Sequence, residues 1–406
     1  MVQDGEVAMN GVAVSVALTL AIQSMVSLVV FTPPVLAPVA AADLGLSASS
    51  VGICTAIIYG AAAFAAPASG SFIVRLGPMR TSQLCLLSVA IGMCAMALAN
   101  PWAAAIGAVF IGFGYGPVTP SSSSILNERT PPQWRAFIFS LKQTGVPVGG
   151  ALAGGLVPLL IHAAGWKVAA LAVSATSLVL LAALQPTRAS VDANRDRSRR
   201  IGSIRLREPL RLVWHHPQLR RMALAGFAYS GMQMCFGSYL VVMLHEVAGF
   251  SVLAAGAALS VAMAGGIVGR VGWGIVADHI VPPRVLLGCL GVAMSLAAFV
   301  MPFLGPGWPW AAVIAFSLFF GATAVGWNGV QLSEVARTVE PGLAAVATGG
   351  SLAITFSGVV LSPLAIWLVV QAGFGYGAGF VLVGLITLWR GLAFFRPLPG
   401  TLADPG

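Results

Sequence analysis

Apolar residues run along this chain in stretches too long and too uniform for a water-soluble core. They occur near residues 11–40, 48–74, 81–100, 102–126, 137–162, 166–185, 218–244, 251–277, 285–304, 309–333, 343–371 and 375–395. About 20 apolar residues suffice for a helix to cross a bilayer, so the pattern predicts about twelve transmembrane helices. Asn100-Pro101, Gly305-Pro306-Gly307 and Glu340-Pro341-Gly342 punctuate the short connections as turns. The chain is 58% hydrophobic and only 8% charged, where a soluble globular domain carries about 25% charged residues. The expected class is an all-α, polytopic membrane protein. The opening MVQDGEVAMN is short and acidic, without the basic stretch and cleavage site of a signal peptide, so the first apolar run is expected to be retained as a helix.

The charges are unevenly placed. Arg188, Arg195, Arg197, Arg199, Arg200, Arg205, Arg207, Arg211, Arg220 and Arg221 crowd one polar stretch, against Asp192, Asp196 and Glu208. With both termini cytoplasmic, the inside loops also carry Arg75, Arg80, Arg129, Arg135, Arg284, Arg337 and Arg396, whereas the outside loops carry only Lys167. This is the positive-inside asymmetry of an inner-membrane protein. It accounts for the net charge of +9 without nucleic acid, and the Arg cluster is suited to rest on anionic lipid headgroups.

The two halves repeat. Gly45-Leu-Ser47-Ala-Ser-Ser-Val-Gly52 aligns with Gly249-Phe-Ser251-Val-Leu-Ala-Ala-Gly256 at an offset of 204 residues, which also sets Gly70 on Gly274 and Arg80 on Arg284. The predicted organisation is a six-helix bundle over 1–185, an Arg-rich cytoplasmic linker over 186–217 and a second, pseudo-symmetric six-helix bundle over 218–406. Such repeats are typical of secondary transporters, whose substrate site lies near the midplane between the halves.

Two motif copies carry a family resemblance. The loop Gly70-Ser-Phe-Ile-Val74-Arg75-Leu-Gly77-Pro-Met-Arg80 and its partner Gly274-Ile-Val-Ala-Asp278-His279-Ile-Val281-Pro-Pro-Arg284 resemble the Gly-x-x-x-Asp-Arg-x-Gly-x-Arg-Arg loop of the major facilitator superfamily. Val74 replaces the Asp of the first copy; His279 and Val281 replace the Arg and second Gly of the second. The resemblance implies the major facilitator fold and a latch on the cytoplasmic side. Its candidate residues are Gly70, Arg75, Arg80 and Glu128 in the first half, and Gly274, Asp278, Arg284, Glu334 and Arg337 in the second. The expected pairings are Arg75 with Glu128, and Asp278 with Arg337 or Arg284. Glu334 and Arg337, three apart, can also pair on one helix face. Ordinary juxtamembrane charge is the competing explanation.

Arg270 is the only charge in the run 251–277. A charge at the centre of a transmembrane helix costs about 2.5–3.5 kcal/mol on the insertion scale, and an anionic ligand would repay it. The pattern Arg270-x-x-x-Gly274-x-x-x-Asp278 is similar to the eighth-helix arginine of monocarboxylate transporters; oxalate–formate exchangers and nitrate porters place an arginine similarly. There it binds the anion. Departures are Gly266, where monocarboxylate transporters often carry an acid; Thr32-Pro33-Pro34, without their lysine; and Phe64-Ala65-Ala66-Pro67, without the second-helix arginine of nitrate porters. Capping by backbone carbonyls is the structural alternative for Arg270.

Lys142 is the other basic residue inside a span. It either snorkels to the cytoplasmic face or supplies a second anion contact. Gln23 with Ser27, Tyr115 with Thr119, Tyr229 with Gln233, and Asn328 with Gln331 stand at helical spacing on helices 1, 4, 7 and 10. They either line the substrate site or join helix to helix. Gly145-Val-Pro147-Val-Gly149-Gly150 is similar to an antiporter motif, but small residues four apart, as also in Gly112/Gly116 and Gly265/Gly269, mark close helix packing as well.

The five cysteines sit in apolar runs without metal or disulfide spacing, and His215-His216 has no nearby acid or cysteine cluster. Neither an enzyme, a metal site nor a cofactor is expected. The expected protein is a monomeric secondary transporter of a small organic anion, foremost a monocarboxylate, working by alternating access. An electrical potential opposing anion entry would favour proton coupling or exchange. The alternatives are a multidrug/proton antiporter, opposed by the lack of Asp or Glu within helices 1, 4 and 7, and a transporter-like sensor without turnover.

Overall fold

Glycine and proline stop the apolar runs, and the computed structural model shows helices between them. It describes residues 2–131, 134–196, 198, 207–339 and 344–396, all helix or short connection. Arg197, Arg199, Arg200 and Arg205 of the basic stretch, and the turn at 340–342, lie outside the described residues. The helices are α1 (Val2–Ala40), α2 (Val51–Leu76), α3 (Pro78–Ala97), α4 (Pro101–Tyr115), α5 (Val118–Arg129), α6 (Arg135–Gln143), α7 (Gly145–Ala183) and α8 (Arg188–Val191). They continue as α9 (Arg207–His215), α10 (Pro217–Glu246), α11 (Val252–His279), α12 (Pro283–Val300), α13 (Trp310–Ala324), α14 (Asn328–Arg337), α15 (Ala344–Gln371) and α16 (Gly375–Leu392).

Among the described residues, eleven helical stretches are long and apolar enough to cross a membrane. One of them, Leu141–Val191, runs for 51 residues. It is interrupted at Gly165, whose φ of 82° and ψ of 165° are not helical. Counted as two spans, it brings the number to the twelve expected from the apolar pattern. The sequence repeat is repeated in the backbone: Gly45 and Gly249 both take positive φ, 64° and 75°. Ser251 then accepts the Ala254 N–H and opens α11, an N-cap arrangement. Asn100 caps α4 in the same way, accepting from Trp102 and Ala103.

By contacts the chain forms two compact units, Met1–Ala48 with Ile57–Ile204, and Ser49–Ala56 with Arg205–Gly406. In the first, α7 packs on α1 through the glycine motif: a Cβ at Gly149 would strike Ser24 O and Leu28 N, and one at Gly145 would strike Gln23. Gly112 and Gly116 bring α4 onto the backbone of α2 at Ile58 and Ala62, and Gly92 and Gly107 bring α3 onto α4. In the second unit, Gly265, Gly269 and Gly321 let α11 and α13 approach backbone to backbone. In lipid, where burying apolar surface drives no association, such close van der Waals contact holds helices together. These glycines are packing positions.

The segment Ser49–Ala56 belongs to the second unit through specific bonds. The Tyr239 hydroxyl lies 3.2 Å from Ser49 O and 2.9 Å from Pro363 O. Thr55 and Ser238 share a hydrogen bond of 3.0 Å, and Gln371 donates to Ser49 Oγ. The basic linker is likewise structured on both sides. Residues 188–196 belong to the first unit, while α9 joins the second, where Pro209 O and Val213 lie against Gly350.

Candidate functional site

In the first unit, three elements converge on one ammonium. α1 presents Gln23 and Ser27 one turn apart, both buried. α5 brings Thr119, and α6 carries Lys142 in its last turn, 1% exposed. Lys142 Nζ donates to Gln23 Oε1 at 2.8 Å, to Thr119 Oγ1 at 3.3 Å and to Gln143 Oε1 at 3.4 Å. Gln23 Nε2 donates onward to Ser27 Oγ at 3.3 Å, and Thr119 Oγ1 to Gln23 Oε1 at 3.4 Å. The Lys142 ammonium is thus buried against α1 and α5. The same α1 face that grips Lys142 also packs against Gly145, which holds Gln23 in register.

Tyr115, placed with this group by sequence spacing, stacks edge-on against Tyr59 at 5.3 Å and 73°.

In the second unit, Gln233 Oε1 accepts from Asn328 Nδ2 at 3.1 Å, joining α10 to α14. Arg270 Nε donates to Val325 O at 3.1 Å, and Trp273 Nε1, one turn along α11, donates to Ala322 O at 2.8 Å. Val325 is the residue at which α13 stops before α14 begins. The guanidinium thus sits at a helix C-terminus, where the last carbonyls lack helical partners and the helix dipole is negative. Backbone capping, the structural alternative for Arg270, is realised at Nε, one of its five donors.

Tyr229 and Gln331 diverge from the expected pairs. Tyr229 is fully buried, packs edge-on to Trp327 at 5.6 Å and donates to Leu287 O at 2.8 Å. Gln331 donates to Met222 O at 2.7 Å. Both join helix to helix within the unit. A four-residue spacing puts two side chains on one face but does not say which atom each will find.

The latch candidates also sort by geometry. Arg337 stands 3.5 Å from Asp278, with both side chains exposed; no ion pair joins Asp278 to Arg284 among the described residues. Glu334 accepts from Gln218 at 3.4 Å instead of pairing with Arg337. Arg75 and Glu128 are both exposed, and no ion pair links them among the described residues. A Cβ at Gly70 or Gly274 would meet no other atom within 4 Å.

Arg80 is engaged by a residue that the motif does not contain. Asp192, buried in the linker, accepts Met79 N–H at 2.8 Å and Arg80 N–H at 3.1 Å, with Arg80 Nε at 3.8 Å. It caps α3, whose own N-cap, Gly77, has no side chain to do so. Gly77 is required twice: its φ is 98°, in the region that favours glycine, and a Cβ there would strike the Asp192 carboxyl. Sequence spacing could not reveal a cap 113 residues away. The signal present in the sequence was Gly77-Pro78, a helix start without a capping side chain.

Among the described residues, eleven apolar helical stretches, one of them broken at Gly165, with polar groups buried inside each unit, define a polytopic helical membrane protein. Residues 16–363 match the family model of the Major Facilitator Superfamily, and the chain belongs to that superfamily. It is 24% identical over 319 residues to the hexuronate transporter of Bacillus subtilis (strain 168), covering 72% of each chain. Among solved structures, it is similar to a bacterial homolog of the human lysosomal transporter Spinster in an inward-facing, occupied conformation (TM-score 0.72, 16% identity, 94% of this chain and 96% of that one). It is also similar to the nucleoside transporter NupG (TM-score 0.74, 15% identity, 94% and 99%). These structural likenesses carry the fold. The protein is a multi-pass membrane transporter.

Proposed function

We propose that the protein is a secondary active transporter of a small organic anion, a monocarboxylate, by alternating access. The observation that carries this reading is Lys142, a buried ammonium that donates to Gln23 Oε1 and Thr119 Oγ1. A carboxylate that meets an ammonium gains a charge-assisted hydrogen bond. In the second unit, the planar fork of Arg270 suits a carboxylate with two parallel hydrogen bonds. Within the first unit the Gln23 amide and the Thr119 and Tyr115 hydroxyls, and within the second the amides of Gln233 and Asn328, are groups that suit the hydroxyls of a polyhydroxy acid. The curated relative is named for hexuronate, a sugar acid with one carboxylate and several hydroxyls, which narrows the monocarboxylate to a sugar acid.

In this reading Asp278 with Arg337 is a latch at the end of α11 and α14, weak by itself because exposed pairs contribute about 0–1 kcal/mol. The Arg-rich linker side faces the cytoplasm, and entry of the anion is balanced by protons or by exchange.

The deciding experiment is counterflow in proteoliposomes. Labelled glucuronate or galacturonate should exchange across the membrane, and Arg270→Ala should abolish exchange. Undiminished counterflow in Arg270→Ala, or movement of cationic dyes without any acid, would overturn the anion assignment.

A further inference from the structure

The linker end of the first unit holds a cavity of about 470 Å³, lined by Arg80, Arg188, Ala189, Asp192, Ala193 and Arg195. Among the described residues, three arginines and one carboxylate line it. That carboxylate is committed: both its oxygens accept N–H groups from the first turn of α3. Asp192 is also nearly inaccessible, its side chain 2% exposed. The described lining therefore carries more positive than negative charge. Arg80 Nε, buried in its wall, makes no hydrogen bond and stands 3.8 Å from Asp192 Oδ2. A donor left in this state is completed by an anion with several acceptor oxygens, and guanidinium forks match a phosphate best.

The cavity lies at a definite level. Arg80 is the third residue of the span Pro78–Ala97, so it stands within about 5 Å of the end of the apolar helix. Lipid phosphates occupy the zone that flanks the hydrocarbon core. One helical turn on, α3 exposes Leu84, Leu87 and Ile91, spaced to continue one face from Arg80. This is a polar pocket opening onto an apolar stripe, the two ends of an amphiphile.

We propose that this cavity binds the phosphate ester of an anionic phospholipid, with the acyl chains along Leu84, Leu87 and Ile91. The phosphate would join Arg188 and Arg195 of the linker to Arg80 at the start of α3. It would add to the hold that Asp192 already has on that helix end.

The test uses the full-length protein in mild detergent, followed by native mass spectrometry and thermal unfolding. Dioctanoyl phosphatidylglycerol, dioctanoyl phosphatidylcholine and inorganic phosphate are added separately. Phosphatidylglycerol should be retained and raise Tm, with the other two doing neither. Arg188→Gln with Arg195→Gln should weaken phosphatidylglycerol binding about tenfold or more, since each basic residue near a lipid surface is worth about a factor of five. Arg211→Gln with Arg220→Gln, outside the cavity, should bind as the parent protein does. Should the double Gln variant fail to fold, Arg188→Gln alone should weaken binding about threefold or more. Equal stabilisation by inorganic phosphate would assign the cavity to a soluble phosphate ester and overturn the lipid assignment. Unchanged phosphatidylglycerol binding in the cavity variants, or stabilisation by none of the three, would overturn the site itself.

Discussion

Lys142 and Arg270 answer the same physical problem differently. Each is a charge in a span, yet Lys142 is wrapped by side-chain oxygens of α1, α5 and its own helix, while Arg270 is tied through Nε to the carbonyl end of α13. Both residues were legible as candidates because a lone charge in an apolar run is conspicuous. Their partners were not, because Gln23 and Val325 are 119 and 55 residues away. A prediction follows at this scale. Lys142→Met should fold, since Met fills a similar volume and Thr119 still donates to Gln23. Its Tm should stay within a few degrees, while kcat/KM for the acid should fall about 10- to 100-fold, the worth of one hydrogen bond to a charged group. Normal transport kinetics with a lowered Tm would instead make Lys142 a structural residue.

At the level of elements, small residues decide which helices touch. Gly149 on α7 admits the backbone of α1, and Gly269 on α11 admits that of α13. Gly149→Leu should prevent α1 and α7 from closing and abolish monodisperse expression, as overpacking against backbone leaves nothing soft to yield. Gly70→Ala, where a Cβ meets open space, should express normally; size-exclusion profiles of the two variants check the contrast. The start of α3 makes a second case. Asp192→Ala should cost about 0.5–2 kcal/mol, the usual range for a lost helix cap, and lower Tm, whereas Asp192→Asn should retain most of the stability. Spacing alone placed Gly145, Gly149, Gly265 and Gly269 on packing faces. Arg75 with Glu128 and Glu334 with Arg337 are not ion-paired here, because matching charges at a plausible separation does not specify the turn of each side chain.

For the whole molecule, the two-fold repeat sets the plan. The offset of Gly45 to Gly249 is visible in letters and again in backbone conformation, and the Major Facilitator match spans both halves. The distribution of arginine predicts the orientation. A cysteine introduced at Ser190 should react with an impermeant thiol reagent only from the cytoplasmic side, and one at Lys167 only from outside; the reverse pattern would invert the proposed topology. The compact units depart from the expected division in two respects. The stretch 186–217 is shared between them, the boundary falling between Ile204 and Arg205. Ser49–Ala56 joins the second unit through Tyr239, Ser238 and Gln371, a grouping that chain order cannot show.

Class, span number and repeat are legible in the letters of the chain. These follow from apolar run length, from helix-stopping glycine and proline, and from periodicity, all properties of residues close together in the chain. Which polar atoms meet emerges only once the helices pack: Lys142 with Gln23, Asn328 with Gln233, Arg270 with the end of α13, and Asp192 with the start of α3. In an apolar medium every buried donor seeks an acceptor, and its distance along the chain does not enter that choice. The partner is set by helix packing, and helix packing is set by where glycines allow two backbones to close.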